Sequence, residues 1–81
     1  MRFLYKYFKM SQPNILHNFK SKNFDSRKYK IQFIVLHYTE TKNLEKAIDL
    51  LTSKKRKVSC HFVVDTDGHI YNLVSESKRA W

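Results

Sequence analysis

Four histidines are the most obvious metal-binding candidates in this chain: His17, His37, His61 and His69. Catalytic zinc generally takes three protein ligands and keeps a further position for water. The spacing of these histidines fits neither a compact zinc finger nor an HExxH helix. His37 stands apart because it directly follows an apolar run of strand length, and α/β sheets usually carry functional groups at that edge. We therefore take His37 as the candidate metal ligand and expect His61, in mid-strand, to be buried and hydrogen-bonded.

The single cysteine and the paired acids offer weaker alternatives. Cys60 and His61 are neighbours on a predicted strand, so their side chains point to opposite faces and cannot act as nucleophile and base. Cys60 could instead pair with a distant histidine, of which His37 is the best placed, but a lone cysteine is ordinarily a small buried apolar residue. Asp65 and Asp67 flank a predicted turn, where aspartate is common because it forms local hydrogen bonds.

The elements that would position His37 begin with the apolar run itself. It comprises Ile31, Phe33, Ile34, Val35 and Leu36. Apolar residues at both odd and even positions predict a strand that is buried on both faces, as in the centre of an α/β sheet. A short helix is predicted next, with Asn43 as its N-cap and Glu45 in the first turn, where its charge complements the helix dipole.

A hairpin is predicted after the helix. The first strand runs from Val58 to about Asp65, and the second from His69 to Val74. Between them the sequence has turn chemistry, including Gly68, which can take a positive φ. The order β-α-β-β indicates part of an α/β fold, in which a mixed sheet is covered by a helix.

The excess of basic residues is concentrated in a leading segment and not in this candidate core. Residues 1–30 carry eight Lys and Arg against one acid, and residues 31–81 carry eight against six, within a net charge of +9. Apolar residues in the segment 1–22 do not recur at a sustained helical or strand spacing, so we expect an irregular basic tail. Such a tail could hold nucleic acid or an anionic membrane surface, although a solvated tail is the ordinary interpretation.

The composition and the first residues of the chain also indicate the cellular compartment. A disulfide within the chain is excluded, because Cys60 is the only cysteine. No run of 18 apolar residues is present, so no transmembrane helix is predicted. Lys6 and Lys9 interrupt the first apolar stretch, which therefore lacks the continuous apolar region of a secretory signal. These features favour the cytoplasm.

Several motifs together resemble the type 2 N-acetylmuramoyl-L-alanine amidase family, which includes peptidoglycan recognition proteins and phage lysozyme-like amidases. Residues 34–39, Ile-Val-Leu-His-Tyr-Thr, resemble the family's first zinc-ligand strand. Residues 58–65 and 67–71 resemble its central hairpin. Residues 23–27 resemble the lead before the first strand, and residues 74–81 resemble the approach to a Trp-His-Ala-Gly stretch. The resemblance thus spans residues 23–81, the expected domain.

The resemblance implies a reaction and its cofactor. Members of this family hydrolyse the amide between N-acetylmuramic acid and the first L-alanine of peptidoglycan, with zinc polarising the carbonyl and activating water. It implies that His37 is the first zinc ligand, that Trp81 borders the substrate groove, and that His61 belongs to strand packing. Peptidoglycan or a muropeptide would be the partner.

The resemblance also shows what this sequence lacks. In the family, the second histidine ligand, the third ligand and the general base follow the Trp-His-Ala-Gly stretch, which would lie beyond Trp81. One imidazole cannot hold catalytic zinc on its own. We therefore expect the N-terminal part of an amidase domain, inactive alone and completed by a downstream-encoded second half. The alternatives are a non-catalytic binder of peptidoglycan fragments and a small basic nucleic-acid-binding protein.

Overall fold

The computed structural model describes residues 14–81, which form five short strands and one helix. The elements are β1 (Ile15–Leu16), β2 (Phe24–Ser26), α1 (Leu44–Thr52), β3 (Phe62–Val64), β4 (Ile70–Asn72) and β5 (Lys78–Ala80). The strands form one sheet of order β1-β4-β3 and a second sheet in which β2 pairs with β5. The expected α/β class, with a mixed sheet and a covering helix, is confirmed.

Helix α1 begins as its sequence predicts. The side chain of Asn43 accepts a hydrogen bond from the backbone N–H of Lys46 at 2.9 Å, and Glu45 lies in the first turn. Ala47 and Ile48 are buried on the face that contacts the sheet. The basic run 54–57 lies in the turn beyond the helix end. Within residues 14–81 no helix has the length and apolar character needed to cross a membrane.

The predicted hairpin forms between β3 and β4, which are antiparallel with Val63 opposite Tyr71. The backbone N–H of Gly68 donates to the carbonyl of Asp65 at 2.9 Å, and Gly68 has a φ of 91°, which suits glycine. Both strands are shorter than predicted, because only three residues of each enter the ladder. The core lies at this hairpin, where Val63 and Leu73 pack with Ile48 of α1.

Two strand pairings connect residues that are far apart in sequence. Strand β1 runs parallel to β4 on the side opposite β3, and β2 pairs antiparallel with β5. Strand β1 lies inside the segment expected to be irregular, and the part of that segment before residue 14 lies outside the described residues. Neither pairing is predicted by the local sequence pattern.

The apolar run 31–36 is not a buried strand, and that expectation is wrong for this structure. The run enters neither sheet, and its side chains are exposed, with Leu36 at 91%. A strand that is apolar on both faces needs a cover on each face and a paired neighbour. The run pairs with no strand of either sheet, so local hydrophobicity alone did not decide its burial.

Candidate functional site

His37 lies in this exposed run, directly after Leu36. Its Nδ1 atom is 2.7 Å from the carbonyl oxygen of Tyr38. A carbonyl can only accept, so Nδ1 carries the proton and donates it to this bond. The neutral ring then has its lone pair on Nε2. Histidine ligands of metals commonly donate their other ring N–H in this way, so the side chain of His37 has a tautomer suited to zinc.

The other histidines make contacts of their own and do not join His37. His17 contacts the ammonium of Lys20 at 3.2 Å. His69 contacts the Asp67 carboxylate at 2.7 Å, and both side chains are exposed. The backbone N–H and ring of His69 bind this carboxylate and hold the pKa of Asp67 below its usual value.

Within residues 14–81, no group of three His, Cys, Asp or Glu side chains is placed to hold a metal ion. His37 supplies one suitable donor atom, whereas catalytic zinc takes about three protein ligands. The described residues therefore do not fit a complete zinc site by themselves. The assignment of His37 as a zinc ligand stays a prediction.

His61 is held by hydrogen bonds between the start of the hairpin and β5. Its Nε2 lies 2.8 Å from the carbonyl oxygen of Lys78 and must be the donor, because a carbonyl only accepts. Arg27 donates to the same carbonyl at 3.0 Å and also contacts Nε2 of the ring at 3.3 Å. His61 is half-buried and lies just before β3, so the expected hydrogen bonding is present but the expected burial in mid-strand is not.

Trp81 is fixed through its backbone at the end of β5. Its N–H donates to the carbonyl of Asn23 at 3.2 Å and to the Ser59 hydroxyl at 3.0 Å, and its carbonyl accepts from Ser59 N–H. Trp81 is 45% exposed. A bordering role beside a substrate groove is compatible with this exposure, but it also stays a prediction.

Asn23 connects several segments of the fold, a role that its sequence context alone does not predict. It is buried, with 2% of its surface exposed. Its side-chain amide donates to the carbonyls of Ser53 (2.8 Å) and Val58 (2.9 Å), which bracket the turn after α1. Its backbone carbonyl accepts from the Ser59 hydroxyl at 2.6 Å and from Trp81. Asn23 therefore connects the helix exit, β2 and the end of β5. In the sequence, only the position of Asn23 within residues 23–27, which resemble the lead before the family's first strand, pointed to this residue.

A groove opens between the start of α1 and the outer side of β3. Its volume is about 570 Å³. Leu44 and Ala47 line it from the helix, and Val63 and Val64 line it from the strand. Thr39 also lines it, which places His37 two residues from the groove wall. Trp81 is not among the lining residues, so this groove does not bring the two predicted site residues together.

An exposed ion pair joins β2 to β5. The guanidinium of Arg79 binds the Asp25 carboxylate through two hydrogen bonds, one of them 2.7 Å long. These bonds hold the pKa of Asp25 below its ordinary value and raise that of Arg79.

The lowered pKa of Asp25 predicts a small loss of stability in acid. A carboxyl group whose pKa is lower in the folded state stabilises the fold above its unfolded pKa. That contribution is lost as the pH falls through the folded pKa. We expect the urea midpoint of unfolding to drop between about pH 5 and pH 2, and to drop less in Asp25→Asn. Glu76→Gln is the control, and an equal acid response of Asp25→Asn and wild type would contradict the prediction.

Cys60 carries the only thiol, which is half-buried and directed at the carbonyl oxygen of Phe62 at 3.3 Å. Burial raises the pKa of this thiol, which leaves less of the reactive thiolate near neutral pH. A role as nucleophile therefore receives no support from this geometry.

Alkylation by iodoacetamide tests the environment of Cys60. We expect the folded protein to react several-fold more slowly than the same protein in urea at equal pH, followed by mass spectrometry. The reason is that unfolding removes the desolvation that disfavours the thiolate. Equal rates in the folded and unfolded states would show that the thiol is neither buried nor perturbed.

Comparison with known proteins identifies the family. A family model described as N-acetylmuramoyl-L-alanine amidase matches residues 27–81, which is more than half of the chain. No curated protein and no solved structure matches the chain significantly. The matched range includes the candidate ligand His37, the β3–β4 hairpin and Trp81. The chain thus belongs to the N-acetylmuramoyl-L-alanine amidase family.

Proposed function

We propose that this chain is part of a peptidoglycan amidase that hydrolyses the amide between N-acetylmuramic acid and L-alanine. The family match over residues 27–81 is the observation that carries the proposal. When bound, zinc would polarise the scissile carbonyl and lower the pKa of the attacking water. His37 is the proposed first ligand, because its Nδ1–H is directed at a carbonyl and Nε2 is left to bind metal.

We further propose that the remaining ligands come from a segment outside residues 14–81. This follows from the lack of a three-donor group among the described residues. A single imidazole binds zinc weakly, because each additional ligand contributes to affinity. The isolated chain should therefore show little or no hydrolysis, and its groove would be completed by the further segment.

Zinc binding by the histidines tests the assignment of His37. We would titrate zinc into isotopically labelled protein and follow the imidazole nitrogens by NMR. The expected result is weak binding that shifts Nε2 of His37 and that His37→Ala removes. His69→Ala is the matched control, since His69 is also exposed and is already hydrogen-bonded to Asp67. Equal shifts of both histidines, or a zinc response that His37→Ala leaves intact, would overturn the assignment.

Muropeptide assays test the substrate class. We expect a muramyl peptide to bind saturably to the pure chain, without measurable release of the free L-alanine amine. No binding with or without zinc would contradict the peptidoglycan proposal. Fast hydrolysis abolished by His37→Ala would show instead that the chain is already a working enzyme. Saturable binding that zinc and a completing segment never convert to hydrolysis would favour a non-catalytic peptidoglycan binder.

A further inference from the structure

Four consecutive basic residues form the turn that follows α1. They are Lys54, Lys55, Arg56 and Lys57, here called the basic turn, and all four are exposed. None of them forms a salt bridge with another residue in the described part of the chain. Asp49 lines a shallow pocket together with Arg56, but these two side chains do not pair. The basic turn therefore carries adjacent like charges that repel one another and that no described acid pairs with.

The basic turn is held closed at its base by Asn23. The side-chain amide nitrogen of Asn23 donates to the carbonyl oxygens of Ser53 at 2.8 Å and Val58 at 2.9 Å, the residues that precede and follow the turn. Because both oxygens bond to one nitrogen, they lie less than about 6 Å apart. Asn23 is buried, so these bonds are shielded from water. The four charges are therefore concentrated on a closed turn and cannot spread along an open chain.

Lys57 closes the turn with an unusual backbone conformation. Its φ is 53°, in the left-handed region that a Cβ atom opposes and that glycine adopts without this cost. Strained backbone positions cluster at binding sites and active sites. The sequence has lysine where glycine would suit the backbone better, which is expected if the charge of Lys57 has a use.

The surroundings of the basic turn suit a flat anionic surface. Val58 directly follows the turn and Phe24 directly follows Asn23, and their exposed fractions are 39% and 38%. Clusters of Lys and Arg bind anionic lipid headgroups, and apolar side chains beside them can enter the boundary between headgroups and acyl chains. Single-stranded nucleic acid is instead usually held in a positively charged groove. The groove between α1 and β3 is lined by no residue of the basic turn, so a bilayer surface is the better fit.

We propose that the basic turn is a docking surface for the anionic face of a phospholipid membrane. Its four cations bind phosphate-bearing headgroups, which move laterally within the bilayer and gather at the compact cluster. Each Lys or Arg near such a surface strengthens binding about fivefold. Salt screens this attraction beyond roughly 10 Å at about 0.1 M ionic strength, so only charges that come close to the surface contribute. The proposal is independent of zinc and of the amidase reaction.

Vesicle sedimentation with charge-matched variants tests the docking surface. The full chain is mixed with vesicles of phosphatidylcholine alone or of phosphatidylcholine with phosphatidylglycerol. We expect binding to the anionic vesicles only, and a loss of more than about tenfold in the double variant Lys54→Gln and Lys55→Gln. The double variant Lys28→Gln and Lys30→Gln removes the same charge from exposed residues beyond the far end of β2, so it should lose less than about threefold. No binding to anionic vesicles, equal binding to neutral ones, or equal losses in the two variants would overturn the proposal.

Lys57→Gly separates the charge of this residue from its backbone, because glycine adopts the left-handed conformation without a Cβ. We expect the urea midpoint of unfolding to stay the same or rise, while binding to anionic vesicles falls about fivefold. Lys57→Arg keeps the charge and should keep the binding. Undiminished binding in folded Lys57→Gly would contradict the proposal, since a solvated turn without a partner predicts that result.

A parallel titration distinguishes the membrane from nucleic acid. A fluorescent single-stranded oligonucleotide is added to the same variants at the same ionic strength. Membrane docking predicts that the variants of the basic turn weaken vesicle binding by a larger factor than oligonucleotide binding. Oligonucleotide binding that depends on the basic turn more strongly than vesicle binding does would overturn the proposal and assign the turn to nucleic acid. Added salt should release the chain from anionic vesicles, and retention at high salt would contradict an electrostatic docking surface.

Discussion

Replacing Asn23 by alanine is expected to lower the free energy of unfolding by about 2–4 kcal/mol. The side-chain amide of Asn23 is buried and donates to the carbonyls of Ser53 and Val58. Alanine leaves both acceptors without this donor, and at least part of their desolvation cost is then uncompensated. The two carbonyls lie on either side of the turn after α1, so the loss also loosens the connection from the helix to the hairpin. Chemical denaturation monitored by circular dichroism gives the measurement.

Two further variants separate the hydrogen bonds of Asn23 from its size. Asn18→Ala removes an exposed asparagine and should change stability by less than about 0.5 kcal/mol. Asn23→Asp keeps the shape but turns an acceptor towards the two carbonyls, so it should destabilise at least as much as alanine near neutral pH. If Asn23→Ala matched Asn18→Ala, the asparagine would not hold the turn as the structure indicates.

The parts of the fold that the sequence predicts are those set by neighbouring residues. Asn43 caps α1, and Gly68 takes the positive φ of the hairpin turn, as expected. Each of these signals operates over a few residues: an asparagine side chain reaches the N–H three positions on, and glycine lacks the Cβ that opposes a positive φ. The hairpin follows from the same local chemistry, because its two strands are separated by a short turn.

The long-range pairings could not be predicted in this way. Strand β2 meets β5 across more than fifty residues, with Asp25 opposite Arg79. Three-residue strands carry too little periodicity to select a partner, and the ion pair becomes visible only after the register is known. The same limit applies to Asn23. Turn and loop statistics explain an asparagine at almost any exposed position, whereas its buried role depends on two carbonyls from distant residues.

The candidate ligand His37 follows an apolar run that is exposed rather than buried. Family resemblance selects His37, and the family match includes it, but among residues 14–81 no group of three candidate ligands forms around it. The apolar run before His37 has the composition of an inner strand, yet it is exposed because no neighbour in the described sheet pairs with it. Composition specifies what a segment can bury. Whether it is buried depends on the edge and the cover that the rest of the fold provides.

The second large effect is expected at the centre of the core. Leu73 is 1% exposed and follows β4 directly, where it packs with Ile48, Val63 and Val74. Leu73→Ala removes three buried carbon atoms and leaves a cavity, a change that typically costs 2–5 kcal/mol. A small chain buries a smaller fraction of its surface than a larger domain does, so its total stability is low. We therefore expect Leu73→Ala to be largely unfolded at 37 °C, as judged by circular dichroism and thermal melting.

The main-chain bonds of Leu73 make this a test of packing alone. Its N–H donates to the carbonyl of His61 at 2.8 Å, and its carbonyl accepts from Ser21 at 3.0 Å. Alanine can keep both bonds, so the expected loss comes from the side chain. Val64→Ala is the matched control, because Val64 lies on the hairpin but is mostly exposed. Similar melting temperatures for the two variants would place the core elsewhere, whereas a large difference would locate it between α1 and the hairpin, where Leu73 packs with Ile48 and Val63.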